Sequence, residues 1–238
     1  MNFDTITDYR YMRTAEGLVR DINDSINGRV ALNDKLQSTH ILYVIKNLLG
    51  EKCKTVLEIG TLWGGALLTM MASEYKSKFV SIDMFDGFYP ELHGKGKDDH
   101  GHGVNTIELV TENIENNNMW EHKYDLIKGS SHDKEVVSYV KENYPEIDLF
   151  FIDGDHAKKG VLQDWEDYSG LVAKGGIVVF DDYWVGDYEN AAWRKEDENG
   201  VKWMDVVGAV DEIIGDDVFS KNWKTVGLFG DKKIVERL

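Results

Sequence analysis

The stretch VLEIGTLWGGALL, residues 56–68, decides which fold this chain can adopt. It starts as a short apolar segment typical of a buried strand, passes through a turn with Gly60, Gly64 and Gly65, and continues as an apolar helix. Glycines let a backbone approach a ligand closely, and the N-terminus of the helix adds positive potential. The stretch predicts a strand–turn–helix unit with a ligand at its turn. A turn that needs glycine only for packing is the alternative.

Apolar strands and helical segments alternate along the chain after this unit. Further strands are predicted at KFVSIDMF (78–85), YDLIKGS (124–130), IDLFFIDGD (147–155) and GGIVVFDDY (175–183). Helices with apolar residues three and four positions apart are predicted at 105–118, 132–144 and 160–174. Strands rich in Val, Ile, Leu and Phe on both faces are typical of a parallel sheet covered by helices. We expect an α/β fold with a Rossmann-like open, mostly parallel sheet and helices on both faces.

Both ends of the chain depart from this alternation. Segments 222–230 and 232–238 predict two strands joined by a tight Gly–Asp turn, an antiparallel pair that closes the sheet. Residues 1–50 are mostly helical in pattern. We expect them to form a helical cap over a single domain at 51–238.

The balance of charges limits the partners. The chain has 238 residues, with 27 Lys and Arg against 43 Asp and Glu, and a formal net charge of −16. Such a chain repels a phosphate backbone, so neither nucleic acid nor an anionic membrane is expected as a partner. Cys53 is the single cysteine, which excludes an internal disulfide and a thiolate metal cluster. With no signal-peptide pattern and no apolar run near ~20 residues, we expect a cytoplasmic protein.

Two acidic residues beside the glycine turn suggest what the turn binds. Leu62 stands where a dinucleotide fingerprint needs its second glycine, which disfavours NAD. Asp83, at the end of the second strand, suits a ribose diol, and Glu58 suits an ammonium or hydroxyl group. A cofactor with a nucleoside, a cation and no phosphate fits this pattern. S-adenosylmethionine is such a cofactor.

Four carboxylates follow the next two apolar strands, at the point where each strand ends. They are Asp153, Asp155, Asp181 and Asp182. In an open α/β sheet, ligands bind beyond the carboxyl ends of the strands, and gathered carboxylates repel one another unless a cation or a proton intervenes. Hard oxygen ligands without cysteine favour Mg²⁺, Mn²⁺ or Ca²⁺ over zinc, and Mg²⁺ is the first expectation. The alternative is that some of these acids only cap the helices that follow.

The order of these motifs resembles that of class I S-adenosylmethionine-dependent methyltransferases. VLEIGTLWGG, IDMFDGF, IDLFFIDGDH and GGIVVFDDYW carry the resemblance, which covers roughly residues 50–185. It implies that the methionine portion lies against Glu58 and the turn, the ribose against Asp83, and the adenine against Met84 and the KGSSHD segment, with His132 as a further candidate there. The cofactor-binding residues that it implies are Glu58, Gly60, Thr61, Gly64, Asp83, Met84, Ser130, Ser131 and Asp153.

The pattern IDGD…DDY, with FDGFYPE after the second strand, is similar to macrocin-type sugar O-methyltransferases and to related small methyltransferases that share FIDGDH. That resemblance implies a divalent metal held by Asp153, Asp181 and Asp182, with Asp155 as the general base. The sugar enzymes often follow IDGD with an aliphatic–aromatic pair, whereas this chain has His156 and Ala157. The base therefore remains open between Asp155 and His156.

The function expected from these observations is transfer of a methyl group to a hydroxyl of a small molecule such as a sugar. An NAD-linked oxidoreductase, a hydroxylase-like enzyme and a non-catalytic nucleoside-binding module are the alternatives. The loop at 89–103, rich in Gly and His, is expected to be a mobile lid over the substrate pocket. The helical N-terminus is compatible with a homo-oligomer.

Overall fold

The fold was analysed on a computed structural model that describes residues 9–30, 39–86, 105–184 and 204–238. The loop at 89–103 lies outside the described residues. The helices are α1 (Tyr9–Ser25), α2 (His40–Leu49), α3 (Gly65–Met71), α4 (Ile107–Asn117), α5 (Lys134–Asn143), α6 (Lys158–Tyr168), α7 (Val206–Gly215) and α8 (Asp217–Asn222). The strands are β1 (Thr55–Ile59), β2 (Lys78–Asp83), β3 (Lys123–Lys128), β4 (Ile147–Ile152), β5 (Val172–Phe180), β6 (Trp223–Phe229) and β7 (Lys232–Arg237). Short 3₁₀ turns occupy Gly50–Lys52 and Ser169–Leu171.

These seven strands form one sheet in the order β3-β2-β1-β4-β5-β7-β6. The first five pair in parallel, and β7 pairs antiparallel with both β5 and β6. The expected mostly parallel sheet with a closing antiparallel pair is therefore confirmed. Strand order reverses between β1 and β4, and open α/β sheets bind their ligands beside such a reversal.

Each face of the sheet is covered by its own hydrophobic cluster. One cluster joins β1 and β2 to α1, α2, α3 and α4. The other joins the opposite face of the sheet to α5, α6, α7 and α8. The central strands are apolar on both faces because both faces are buried, as the run IDLFFI in β4 illustrates. None of the helices in the described ranges has the length and apolar character that a membrane crossing requires.

Two features differ from the expectations drawn from sequence. The helix predicted at 160–174 ends at Tyr168, and β5 begins at Val172, because Val172 already pairs with Ile147 of β4. The helices α7 and α8 were not predicted. They bury one side each, through residues such as Val210 and Phe219, against the second cluster.

Candidate active site

Three neighbouring strands deliver residues to one edge of the sheet. The strand pairing continues one residue beyond the strand ends: the amide of Gly60 donates to Ile82 O at 2.9 Å, and the amide of Asp153 donates to Ile59 O at 2.8 Å. The amide of Asp181 likewise donates to Ile152 O at 3.0 Å. The glycine turn and both groups of carboxylates therefore lie side by side at the carboxyl edge, as the sequence predicted for parallel neighbours.

Packing within the protein already explains two of the glycines in the turn. Gly60 has a φ of +86°, and a Cβ added there would lie 2.0 Å from Asp153 O. A Cβ on Gly65 would lie 2.4 Å from Val30 Cα. Gly64 has a left-handed φ of +84° at the residue before α3. Packing within the protein thus already requires glycine at Gly60 and Gly65, and the predicted role of Gly60 in cofactor binding stays a prediction.

Asp83 is the anchor of the turn. Its Oδ2 accepts the amides of Thr61 at 2.8 Å and Leu62 at 3.0 Å. Its Oδ1 accepts the amide of Phe85 at 2.8 Å and Asn105 Nδ2 at 3.1 Å. Leu62 and Phe85 both adopt a positive φ of 47°, a strained conformation for such residues, and Asp83 holds both. The carboxylate that was predicted for the ribose therefore also fixes the shape of the turn.

Glu58 is fully buried at the end of β1. Ser81 Oγ donates to Glu58 Oε2, and Thr61 Oγ1 is hydrogen bonded to Ser81 Oγ. Its other oxygen, Oε1, is buried without a hydrogen-bond partner among the described residues. Burial, reinforced by the negative charges of Asp153 and Asp83, raises the pKa of Glu58 to about 8. A buried acceptor in this state suits a ligand that brings a positive charge to it.

The segment after β3 lies next to Asp83, since the amide of Gly129 donates to Asp83 O at 3.0 Å. The candidates Ser130, Ser131 and His132 follow directly. Met84, on the β2 side, leaves 49% of its surface exposed. The structure thus brings the predicted adenine-binding residues to adjacent strand ends.

That segment is tied to α6 through Asp164, which is completely buried. Ser131 Oγ donates to Asp164 Oδ1 at 2.7 Å, and His132 Nε2 lies 3.0 Å from the same oxygen. The hydroxyl of Tyr168 donates to Ser131 O at 2.6 Å. The hydrogen bond to Asp164 raises the pKa of His132, and the negative charge of Asp164 adds to this effect, whereas burial of the imidazole opposes it.

The carboxylates of β4 and β5 meet around His156. Its Nε2 lies 3.1 Å from Asp153 Oδ1 and 3.5 Å from Asp182 Oδ2. Burial disfavours the charged imidazole, but the carboxylates of Asp153 and Asp182 outweigh it and raise the pKa of His156 to about 9. Burial and the neighbouring Asp181 likewise raise the pKa of Asp153. This cluster therefore retains protons, which is the expected behaviour of carboxylates that are crowded together and buried.

Asp181 has a different partner. The ammonium of Lys232, itself 1% exposed, contacts Asp181 Oδ1 and lies 3.2 Å from Asp231 Oδ1. Both partners raise the pKa of Lys232 despite the opposing effect of burial. Asp181 Oδ1 also accepts the amide of Asp182 at 2.9 Å. Asp181 is thus already neutralised by a cation of the protein.

Asp155 lies apart from this cluster. Its residue is exposed, and its Oδ1 accepts the amide of Ala157 at 2.9 Å, just before α6. A Cβ on Gly160 would lie 2.3 Å from Asp155 Oδ2, so the carboxylate is packed over the first turn of α6. Asp155 thus forms a local turn with the amide of the residue before α6, and it does not cap the helix, whose N-cap Ala157 has no side-chain hydrogen bond.

A divalent metal fits the donors that the fold brings together. One oxygen each from Asp153 and Asp182, with a ring nitrogen of His156, lies within 4.8 Å of the others. A second group, Asp181, Asp182 and Asp231, meets the same distance limit, but the Lys232 ammonium already contacts two of its carboxylates. Sequence reasoning missed Lys232, Asp231 and Asp164. The only sequence signal for Lys232 was its place in β7, two residues before the buried Ile234 on the same strand face.

Known proteins share this arrangement of sequence and fold. A family model described as a methyltransferase domain matches residues 57–183, more than half of the chain. An uncharacterised protein of Acanthamoeba polyphaga mimivirus is 32% identical over 177 residues. That match covers 74% of this chain and 66% of the mimivirus protein, just under two thirds of the relative's length.

Solved structures are similar in fold across nearly the whole chain. An O-methyltransferase from Bacillus cereus, in complex with SAH, aligns with a TM-score of 0.58 at 16% identity, over 95% of this chain and 90% of that chain. MycE, a methyltransferase from the mycinamycin biosynthetic pathway in complex with Mg and SAH, aligns with a TM-score of 0.57 at 17% identity. That alignment covers 92% of this chain and 54% of MycE. At such identities the likeness concerns the fold.

Proposed function

The chain belongs to the methyltransferase-domain family, and from that premise we propose that it transfers a methyl group from S-adenosylmethionine to a hydroxyl of a small molecule, assisted by a divalent metal. One observation carries the proposal. The acidic cluster of Asp153, His156 and Asp182 lies just beyond the ends of β4 and β5, and β4 pairs with β1, which leads into the turn that Asp83 shapes. A cofactor in that turn and a hydroxyl at the cluster would therefore be neighbours.

The residues of the turn have distinct roles in the proposal. Glu58 offers to the ammonium of the methionine portion a buried oxygen that has no hydrogen-bond partner in the described part of the chain. Asp83 sets the conformation of Thr61 and Leu62 and stands nearest to the ribose. Met84 and Ser130 to His132 flank the adenine from the ends of β2 and β3. An NAD cofactor is less well supported, since Leu62 places a side chain where the dinucleotide fingerprint needs glycine.

The acidic cluster would bind and orient the acceptor. A divalent metal held by Asp153 and Asp182 would lower the pKa of a hydroxyl bound to it. The methyl carbon passes from the sulfonium sulfur to the acceptor oxygen, and the hydroxyl proton leaves to a base of the chain. His156 is the better placed of the two candidate bases, because its imidazole lies within the cluster while Asp155 accepts the amide of Ala157 outside it. A cation held by Asp153 and Asp182 would offset the negative charges that raise the pKa of His156, so that the neutral imidazole could take the proton. Alignment of oxygen, methyl and sulfur would supply much of the rate enhancement.

The acceptor is a small hydroxylated molecule in this proposal, and sugars are the first class to examine. Support for a sugar comes from the sequence pattern IDGD…DDY, and support for a small-molecule acceptor comes from MycE, which has been solved with Mg, SAH and mycinamycin VI.

Calorimetric titration of S-adenosylhomocysteine, with and without Mg²⁺, is the first test. We expect micromolar binding in both conditions, followed by methyl transfer to one class in a panel of sugars and other hydroxylated acceptors. Asp182→Ala should abolish metal-dependent turnover and leave cofactor affinity within about threefold, because Asp182 contacts the cluster and not the turn. Asp217→Ala serves as the matched control, since Asp217 is exposed on α8 and belongs to neither the cluster nor the turn.

Absence of cofactor binding in either condition would refute the proposal. Equal loss of cofactor binding and turnover in Asp182→Ala would instead show that Asp182 supports the turn, and the metal would lose its proposed ligand.

A further inference from the structure

Lys232 is the most deeply buried cation beside the candidate active site. It stands at the start of β7, the strand that pairs antiparallel with β5, and so reaches the carboxyl end of β5 from the opposite direction. Its ammonium contacts Asp181 and Asp231, and its side chain is 1% exposed. Displacing an ion from this group is energetically costly, because a buried charge that loses its partner is left unpaired.

Asp181, which Lys232 holds in place, also contacts the backbone of Asp182. The oxygen of Asp181 that contacts Lys232, Oδ1, is the one that accepts the amide of Asp182. Asp182 adopts a φ of +52°, in the left-handed region that costs free energy for a residue other than glycine. Trp184 Nε1 donates to Asp182 Oδ1 at 2.8 Å, which leaves Asp182 Oδ2 facing His156. A continuous chain of contacts thus runs from Lys232 through Asp181 to the backbone amide of Asp182.

We propose that Lys232 and Asp181 are positioning residues for the metal site: the ammonium holds Asp181 as its counter-charge, so that Asp181 orients Asp182 and does not bind the ion. The inference rests on the proposed function, because it concerns the metal of that same site. It changes the set of ligands implied by the sequence pattern, from Asp153, Asp181 and Asp182 to Asp153 and Asp182.

Charge supports this division of roles. A metal that took Asp181 as a ligand would have to displace the buried ammonium, or share a carboxylate with it at close range. Two cations at one carboxylate repel each other, and Lys232 is buried at this position of β7. Asp153 and Asp182 can offer carboxylate oxygens to a metal, because Lys232 forms its described ion pairs with Asp181 and Asp231 instead.

Charge-balanced double variants test the proposal directly. The full chain carrying Asp181→Asn with Lys232→Met loses one charge of each sign and keeps an acceptor for the Asp182 amide. Asp182→Asn with Lys232→Met has the same change in charge but loses the ligand. Asp181→Ala with Lys232→Met removes the acceptor. Mn²⁺ affinity is measured by the loss of the free Mn²⁺ signal in electron paramagnetic resonance.

We expect the Asp181→Asn double variant to bind Mn²⁺ within about threefold of the unaltered protein. The other two double variants should bind it about 10 to 100 times more weakly, as is usual when a ligand or its orienting partner is lost. Equal loss in the Asp181→Asn and Asp182→Asn double variants would overturn the proposal, since Asp181 would then be a ligand. Should the methionine variants fail to fold, Lys232→Gln with the same partners gives the comparison.

Measuring cofactor binding beside Mn²⁺ binding distinguishes a failure of this inference from a failure of the proposed function. Binding of S-adenosylhomocysteine to each variant reports that the fold and the cofactor site persist, and Lys233→Met controls for loss of a lysine from the same strand. If the unaltered protein binds cofactor but no Mn²⁺, metal assistance and this inference both fail while the methyltransferase assignment stands. If it binds Mn²⁺ and no cofactor, the proposed function fails, and the three variants still decide the role of Asp181.

Discussion

Glu58 carries a proton that ligand binding should remove. Its pKa is raised to about 8 by burial and by the nearby Asp153 and Asp83, so the free protein holds it neutral at pH 7. The folded state binds this proton more tightly than the unfolded chain, whose pKa is near 4.5. The contribution of Glu58 to the free energy of unfolding therefore falls as the pH rises from about 4.5 to about 8. A ligand ammonium at Oε1 favours the ionised carboxylate and reverses that preference.

We predict that S-adenosylhomocysteine binding at pH 7 releases up to one proton to the buffer. Calorimetry in phosphate and in Tris, whose ionisation enthalpies differ, measures the number released. Glu58→Gln is the matched control: it keeps the size and the acceptor for Ser81 but has no proton to lose, so its binding enthalpy should vary less between buffers. The same proton release in Glu58→Gln would assign the proton to another group.

Some residues of the candidate active site could be predicted from the sequence, and others could not. Asp153 and Asp182 were predictable because the carboxyl ends of parallel neighbours meet at one edge, whatever the details of packing. Lys232 was not, since it lies 51 residues after Asp181 in sequence and its place depends on the register of the hairpin formed by β6 and β7. A strand pattern alone cannot distinguish a lysine that faces solvent from one that meets a buried carboxylate.

The helix α6 acts on the candidate cofactor site as a unit. Asp164 and Tyr168 lie one turn apart on it and hold both the side chain and the carbonyl of Ser131. Protonation of His132 strengthens the contact between its imidazole and Asp164, because Asp164 raises the pKa of His132. Burial raises the pKa of Asp164, and the hydrogen bonds from His132 and Ser131 oppose that shift. The pKa of His132 in the folded state lies above its ordinary value of 6.5. Its contribution to the free energy of unfolding is therefore fully present below pH 6.5 and is lost as the pH rises through the pKa of the folded state.

We predict that His132→Gln lowers the free energy of unfolding by about 1 to 2 kcal/mol at pH 6 and by less at pH 9. Urea unfolding at the two pH values, followed by tryptophan fluorescence, measures the difference. Ser131→Ala removes the uncharged partner of the same carboxylate, so its effect should be nearly independent of pH. A His132→Gln effect that is equal at both pH values would show that the pair carries no charge-dependent stability.

Sequence patterns predicted most elements and failed where the pattern was short. The five parallel strands are continuous apolar runs, and such runs keep their meaning in any context that buries both faces. The helix α7 carries Gly208 and ends at Gly215, and α8 has six residues, too few for an apolar period to be recognised. Both are held by packing against the sheet, which local sequence does not encode.

At the scale of the whole molecule, the N-terminal helices belong to the main core. Residues of α1 and α2, among them Val19 and Ile45, are fully buried in the cluster that also contains β1 and α3. The contact between Gly65 and Val30 brings the N-terminal segment directly behind the glycine turn. The proposed cap at 1–50 therefore shares its hydrophobic core with the domain at 51–238.

This shared core predicts that residues 51–238 do not fold by themselves. Removing 1–50 would expose one apolar face of the sheet and its helices to water, a loss far larger than the marginal stability of a domain. We expect the truncated chain to lack a cooperative thermal transition. Within the full chain, Ile45→Ala should cost about 2 to 5 kcal/mol in a single unfolding transition, because Ile45 is completely buried, whereas the exposed Glu16→Ala should change stability by less than about 0.5 kcal/mol. A truncated chain that unfolds cooperatively and binds S-adenosylhomocysteine would instead make residues 1–50 a separable cap, and the cofactor turn would then be stable without the packing of Val30 behind it.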